Sequence, residues 1–185
     1  DGDLPWVLPS PNMPTLDTAI IYPGMCLIEG TNLSEGRGTT RPFHLIGAPW
    51  LDPDKMARLC RQGAEDCGLT GVGFRAASFE PQFQKHAGQL CGGVELHIQD
   101  RNALESVLLG LVVIEAAMRC NPDAFAWRTE TYEYVDNPIA IDLLFGSAEG
   151  RVALESRVSL RDLTKSWEAP RLDWLPKRAR CLLYE

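Results

Sequence analysis

Four charged side chains crowd into one short polar stretch, EGTNLSEGRGTTRPF, from Glu29 to Phe43. Glu29, Glu35, Arg37 and Arg41 stand there among Gly30, Gly36 and Gly38 and four small hydroxyl residues. Each arginine offers a planar fork of donors suited to a carboxylate or a phosphate. The two glutamates offer acceptors or proton-transfer groups. Apolar residues are nearly absent and glycine recurs every few positions, so neither a helical nor a strand period fits. Glycine permits positive φ and close approach of a ligand to the backbone. A polar loop of this kind is either a solvated connection or a site loop carried on a rigid scaffold. The strongly apolar stretches on both sides favour the site loop.

The elements that must position this loop follow from pattern. Pro5, Pro9, Pro11 and Pro14 predict an extended, proline-stiffened lead-in over residues 1–14. Thr15 is placed to cap a short helix with Leu16, Ala19 and Ile20 on one side and Pro23-Gly24 at its end. Met25 to Ile28 reads as a buried strand or a helical turn that delivers Glu29. Beyond the loop, Phe43 to Leu51 reads as a strand, and Asp52-Pro53 starts a helix that Gly68 ends. Val72 to Phe79 and Val94 to Ile98 alternate as strands, with a loop from Pro81 to Gly88 between them. The strongest helical pattern spans 102–119, with Asn102 and Glu105 as a capping-box-like pair and Asn121-Pro122 as its stop. An aromatic stretch follows (Phe125, Trp127, Tyr132, Tyr134), then the apolar run Ile139 to Phe145. Ser147 and Ser159 resemble caps of short helices, and Arg171 to Arg178 reads as a last helical turn or two. Strands interleaved with helices predict a single α/β or α+β domain, a mixed sheet with helices packed on it.

Composition narrows the function classes. A net charge of -7 over 185 residues lacks the basic face of a nucleic-acid binder. No stretch is apolar enough to span a membrane, because Glu115 interrupts the best candidate. Cys26, Cys60, Cys67, Cys91, Cys120 and Cys181 form no CxxC pair and read as reduced, small core residues. His44, His86 and His97 show no HxH or HxxxH spacing, so no metal is expected. The GRGT segment lacks the ending of a P-loop, so neither a nucleotide nor another cofactor is expected.

From Pro9 to Phe43 the sequence PSPNMPTLDTAIIYPGMCLIEGTNLSEGRGTTRPF closely resembles a bacterial family first catalogued as a domain of unknown function, whose characterised members are exo-β-N-acetylmuramidases. The YPG at Tyr22 to Gly24, the EGTN at Glu29 to Asn32 and the GRGT at Gly36 to Thr39 carry the resemblance. Weaker echoes continue in CGGVELHIQD (Cys91 to Asp100), IDLLFGS (Ile141 to Ser147) and the closing LLYE. The resemblance implies a two-part enzyme with an N-terminal Rossmann-like domain that carries a Pro-Glu-His-Gly motif, absent from this sequence. It also implies a cleft between the parts, faced by the glycine-rich loop of residues 15–185. The implied ligand is a peptidoglycan-derived sugar.

Releasing a terminal N-acetylmuramic acid requires protonation of the leaving oxygen and stabilisation of an oxocarbenium-like transition state, usually by two carboxyl groups. Glu29 and Glu35 are the candidates, Glu29 at the end of an apolar run and Glu35 with a surface residue as its default. Arg37 or Arg41 suits the lactyl carboxylate of that sugar, although Arg37 can equally brace the loop on Glu29 or Glu35. Thr31, Asn32, Thr39 and Thr40 can serve sugar hydroxyls or an N-acetyl group, or simply the turn. Tyr22 can stack on a sugar ring or lie in the core. Three readings follow: the C-terminal domain of such a glycosidase, a non-catalytic carbohydrate-binding or interaction module, or a complete hydrolase using Glu29 and Glu35. An absent partner domain would leave apolar surface near Tyr22, Phe43 and Trp50, open to that domain or to self-association.

Overall fold

The Ser106 hydroxyl ties the first helix of the chain to the most buried one. Thr15 opens α1 (Leu16–Met25) by accepting the Thr18 amide at 3.2 Å. Pro23-Gly24 does not end this helix, as the sequence pattern expects. The helix runs through both residues and passes directly into a 3-10 turn, Cys26–Gly30, so Met25 to Ile28 is helical rather than extended. A proline inside a helix costs a ladder bond and frees carbonyls. Here the Ser106 hydroxyl accepts the Gly24 amide at 3.0 Å and donates to the Ile21 carbonyl at 2.8 Å. That repair is tertiary, and no local pattern announces it.

The computed structural model describes residues 5–183. Of the lead-in, residues 5–14 form neither helix nor strand and carry one turn, closed from Met13 N–H to Ser10 O at 2.9 Å. Residues 1–4 and the final pair of LLYE lie outside the described residues.

The expected strand from Phe43 to Leu51 shrinks to β1 (Leu45–Ala48). Phe43 itself sits at φ 63, a left-handed conformation that no strand residue adopts. Asp52 caps α2 (Pro53–Cys67) by accepting the Lys55 amide at 2.6 Å, and Gly68 ends it at φ 69. Antiparallel β2 (Val72–Phe79) and β3 (Cys91–Ile98) complete a sheet in the order β1-β3-β2, with Leu45 opposite Glu95 and Arg75 opposite the same Glu95. Helix α2 covers this sheet and packs in turn on α3 (Ser106–Cys120). Because α3 lies between α2 and α1, most of its circumference is buried, every residue from Leu108 through Ala117 except the half-buried Glu115. It starts at Ser106 rather than at 102. Asn102 gives its amide to Asp100 Oδ1 at 2.9 Å, and Glu105 makes no side-chain cap.

Four shorter helices finish the chain: α4 (Ala140–Phe145), α5 (Glu149–Glu155), α6 (Leu160–Ser166) and α7 (Glu168–Ala179). Ser159 caps α6 as expected, whereas Ser147 lies one residue ahead of the Ala148 cap of α5. Helix α4 packs on the 3-10 turn. Helices packed on one sheet around one apolar cluster are the architecture that the interleaved pattern predicts. The expected apolar face does not form. Phe43 is 1% exposed in the core, and Tyr22 and Trp50 pack partly buried against it, so nothing there supports self-association.

Gly24 and Gly110 meet backbone to backbone where α1 crosses α3. A Cβ on Gly24 would overlap the Ser106 carbonyl, and one on Gly110 would overlap the Gly24 carbonyl. A Cβ on Gly63, also helical, would meet only side-chain atoms, Val112 at 3.3 Å and Glu115 Oε2 at 3.9 Å. Gly24→Ala is therefore expected to cost roughly 3 kcal/mol by forced separation of the helices. Gly63→Ala should stay within about 1 kcal/mol of the parent, since alanine favours the helix. Urea denaturation of the two variants measures the contrast.

Candidate functional site

Each residue of the Glu29–Asn32 segment has a separate task. The Glu29 carboxylate accepts from Arg37 Nη2 at 2.6 Å and from the Tyr132 hydroxyl at 3.0 Å. Gly30 lies so close to α4 that a Cβ there would come within 2.7 Å of the Ile141 Cα. Its carbonyl accepts the Arg128 amide at 2.9 Å. The Thr31 hydroxyl closes the 3-10 turn by donating to Ile28 O at 2.8 Å. Asn32 grips the aromatic stretch with both ends of its side chain, donating to Ala124 O at 2.8 Å and accepting from Ala126 N at 3.1 Å. Residues 124–128 are thereby laid along the 3-10 turn, and Tyr132 reaches Glu29.

The rest of the loop is organised by charge. Arg37 also donates from Nε to Glu35 Oε1 at 3.0 Å, so one guanidinium holds both carboxylates. Glu35 is only 3% exposed, not the surface residue its neighbours suggest, because the loop folds back and Phe43 N–H closes on Glu35 O at 2.7 Å. Lys85 comes in from the Pro81–Gly88 loop. Its ammonium donates to Ile28 O at 3.1 Å and Leu33 O at 2.9 Å, with Glu29 O at 3.4 Å. It also stands 3.2 Å from Glu35 Oε2 as an ion pair. Burial lowers the Lys85 pKa, against the pull of Glu35. For Arg37 burial opposes the charge, but Glu29 and Glu35 outweigh it and the pKa is raised. Burial, and then the charge of Glu29, raises the Tyr132 pKa, so its hydroxyl remains a donor at neutral pH.

These groups line a cleft of about 820 Å³ whose walls include Glu29, Arg37, Lys85, Trp127, Arg128 and Tyr132. Thr31, Asn32 and Glu35 line it as well. The other sequence-derived candidates do not. Thr39 closes the loop's own turn onto Gly36 O at 2.6 Å. Tyr22 packs edge-on against Phe43, with ring centroids 4.9 Å apart. Arg41 turns to the sheet, 3.6 Å from Glu95, and meets neither Glu29 nor Glu35. The glycines beside Arg37 serve the fold: Gly36 and Gly38 sit at φ 72 and 79, and Gly38 packs on the Gln82–Phe83 backbone. The sequence reading missed Lys85, His86, Arg128 and Tyr132. Tyr132 and its aromatic neighbours were visible as a stretch, but nothing local pairs them with Glu29, 103 residues away. Among the described residues no cluster of His, Cys, Asp or Glu could hold a metal, and no helix is long and apolar enough to cross a membrane. A smaller niche of about 140 Å³ beside Glu115 shares no residue with the loop.

The family model described as exo-beta-N-acetylmuramidase NamZ, C-terminal, matches residues 20–184. The chain belongs to this family. It is 41% identical over 184 residues to the peptidoglycan beta-N-acetylmuramidase NamZ of Bacillus subtilis (strain 168), a match that covers 100% of this chain and 42% of that protein. Two crystal structures of DUF1343 family proteins from Bacteroides fragilis share the fold at 24% identity. One has a TM-score of 0.76 and covers 98% of this chain and 46% of its own. The other has a TM-score of 0.65, with 96% and 44%. The chain thus spans less than half the length of these relatives.

Two outcomes are expected from the contacts above. Asn32→Ala removes both ends of the grip on residues 124–126 and should cost about 1–2 kcal/mol. Faster hydrogen exchange at the Ala126 and Arg128 amides would report the loosened segment. The second concerns Glu95. Burial alone would raise its pKa, but Arg75, His97 and Arg41 outweigh it and hold the carboxyl below its ordinary 4.5. With the folded value below the unfolded one, the stabilising contribution is complete above about pH 4.5 and disappears as pH falls through the folded value. Glu95→Gln should flatten that acid limb in a series of thermal melts.

Proposed function

We propose that this chain is the C-terminal half of a two-domain exo-β-N-acetylmuramidase and forms one wall of the cleft that receives a terminal N-acetylmuramic acid of peptidoglycan fragments. The observation that carries the reading is the Glu29 carboxylate, presented to an 820 Å³ cleft and fixed by Tyr132 and Arg37. A carboxylate held from behind by two donors keeps lone pairs for sugar hydroxyls and supplies negative charge next to a developing oxocarbenium ion. The peptidoglycan-directed activity named for the Bacillus subtilis relative supports the substrate class. Residues 1–14 would join this domain to an N-terminal Rossmann-like domain that forms the opposite wall and brings the proton donor.

The geometry argues against a complete hydrolase in these residues alone. Such an enzyme needs two carboxyl groups that flank the scissile bond. Glu35, the partner the sequence suggests for Glu29, lies buried and held by Arg37 and Lys85, and the other carboxylates at the cleft, Glu130 and Glu133, are exposed at its rim. The chain alone should therefore fail to turn over a chromogenic β-N-acetylmuramide, while the full-length protein should do so. In the full-length protein Glu29→Gln should lower kcat/KM about tenfold or more, and it should also lower Tm because Arg37 loses one of its two carboxylate partners. Turnover by the chain alone that disappears on Glu29→Gln would overturn the division of labour.

A further inference from the structure

We infer that Arg128, and not Arg37, is the group that receives the carboxylate of the ligand in this cleft. The inference rests on the reading of the cleft as a site for an acidic amino sugar, and deepens it by naming the residue that reads the acid.

Among the described residues the cleft wall carries three permanent cations, and they differ in what already occupies them. Arg37 spends Nε on Glu35 and Nη2 on Glu29. Its charge is answered twice over before any ligand arrives. Lys85 is committed to backbone carbonyls and to Glu35. Arg128 has only Glu130 as an ion-pair partner, at 3.9 Å, and that glutamate's side chain is 77% exposed. An exposed pair at that distance contributes little and exchanges readily for a better acceptor. Glu133 also lines the cleft, on the hairpin tip beyond Tyr132. Arg128 is therefore the cation with donors to spare.

It is also held ready. Its amide is pinned to Gly30 O at 2.9 Å, its Nη2 donates to Thr131 O at 3.2 Å, and its guanidinium lies over the Tyr132 ring, 5.2 Å from the centroid. The Tyr132 hydroxyl meets Glu29 at 3.0 Å. Arg128 and the Glu29 carboxylate are thus joined through one side chain, the first over the face of the Tyr132 ring and the second at its hydroxyl. N-acetylmuramic acid carries its lactyl carboxylate on O3, two carbons round the ring from the anomeric centre. One sugar can then address both groups, the acid at Arg128 and the ring at Glu29. An uncharged sugar that lacks the lactyl ether would leave Arg128 on Glu130.

The test measures binding separately from turnover. Full-length protein is titrated by calorimetry with N-acetylmuramic acid and with N-acetylglucosamine, as the parent, Arg128→Gln, Arg128→Lys and Arg37→Lys. The parent should prefer the acidic sugar, and Arg128→Gln should reduce that preference about ten- to a hundredfold. Arg128→Lys, which keeps the charge and the stem over Tyr132, should recover part of it and serves as the reading if the glutamine variant does not fold. Arg37→Lys should alter affinity for the two sugars alike. Equal preference in the parent, or unchanged preference in both Arg128 variants, overturns the inference. Parent protein that binds the acidic sugar through Arg128 but cleaves no muramide would sink the proposed activity and leave this assignment standing.

Discussion

One guanidinium holding two carboxylates is the constraint on which the candidate site depends. Glu29 and Glu35 lie close enough to share Arg37, and two like charges at that separation would repel strongly in a partly dry interior. Arg37 and Lys85 together neutralise them, and Lys85 also satisfies carbonyls at the end of the 3-10 turn. Such a network contributes little net stability against an apolar replacement, but it is strongly destabilised by loss of a single member. Its value here is positional. Phe43, at φ 63, is held in a conformation costly to a bulky side chain, wedged between the edge of Tyr22 and the face of Arg37. The loop keeps its shape because charge and packing fix it from both sides.

The site is assembled from segments far apart in sequence, and the 3-10 turn is where they meet. Helix α4 packs on it, Lys85 bonds its carbonyls, and residues 124–128 run beside it. Tyr132 belongs to a two-residue hairpin whose central residues, Glu133 and Tyr134, both take positive φ. Neither is glycine, so the hairpin is strained. That strain is tolerated beside a cleft whose carboxylate depends on the Tyr132 hydroxyl.

Much of the scaffold was legible because its signals are local. Asp52-Pro53 with Gly68 marks α2 at both ends, and alternation marks β2 and β3. Two of the errors share a physical origin, which is that a distant residue completed a local structure. Pro23-Gly24 reads as a stop until the Ser106 hydroxyl, 82 residues on, is seen to take the Gly24 amide. Glu35 reads as solvent-facing until Lys85 and Arg37 close over it. The polar loop stood out as a unit, yet its pattern could not separate Arg37, turned onto Glu29, from Arg41, turned onto Glu95. Separating them requires knowing which side of the sheet the chain returns to.

The contact of Gly24 with Gly110 has a consequence for how variation in this domain would be transmitted. Where helices are spaced by side chains, a change of volume shifts one element against another. At Gly24 and Gly110, where α1 crosses α3, the backbones touch directly, so the separation there is set by peptide groups and by the Ser106 hydroxyl that joins them. Helix α1 runs without interruption into the turn that carries Glu29. The carboxylate is thereby referenced to the backbone of α3 like a gauge resting on a fixed stop. Drift in the apolar packing around α2 or the sheet can accumulate while the floor of the cleft stays in register.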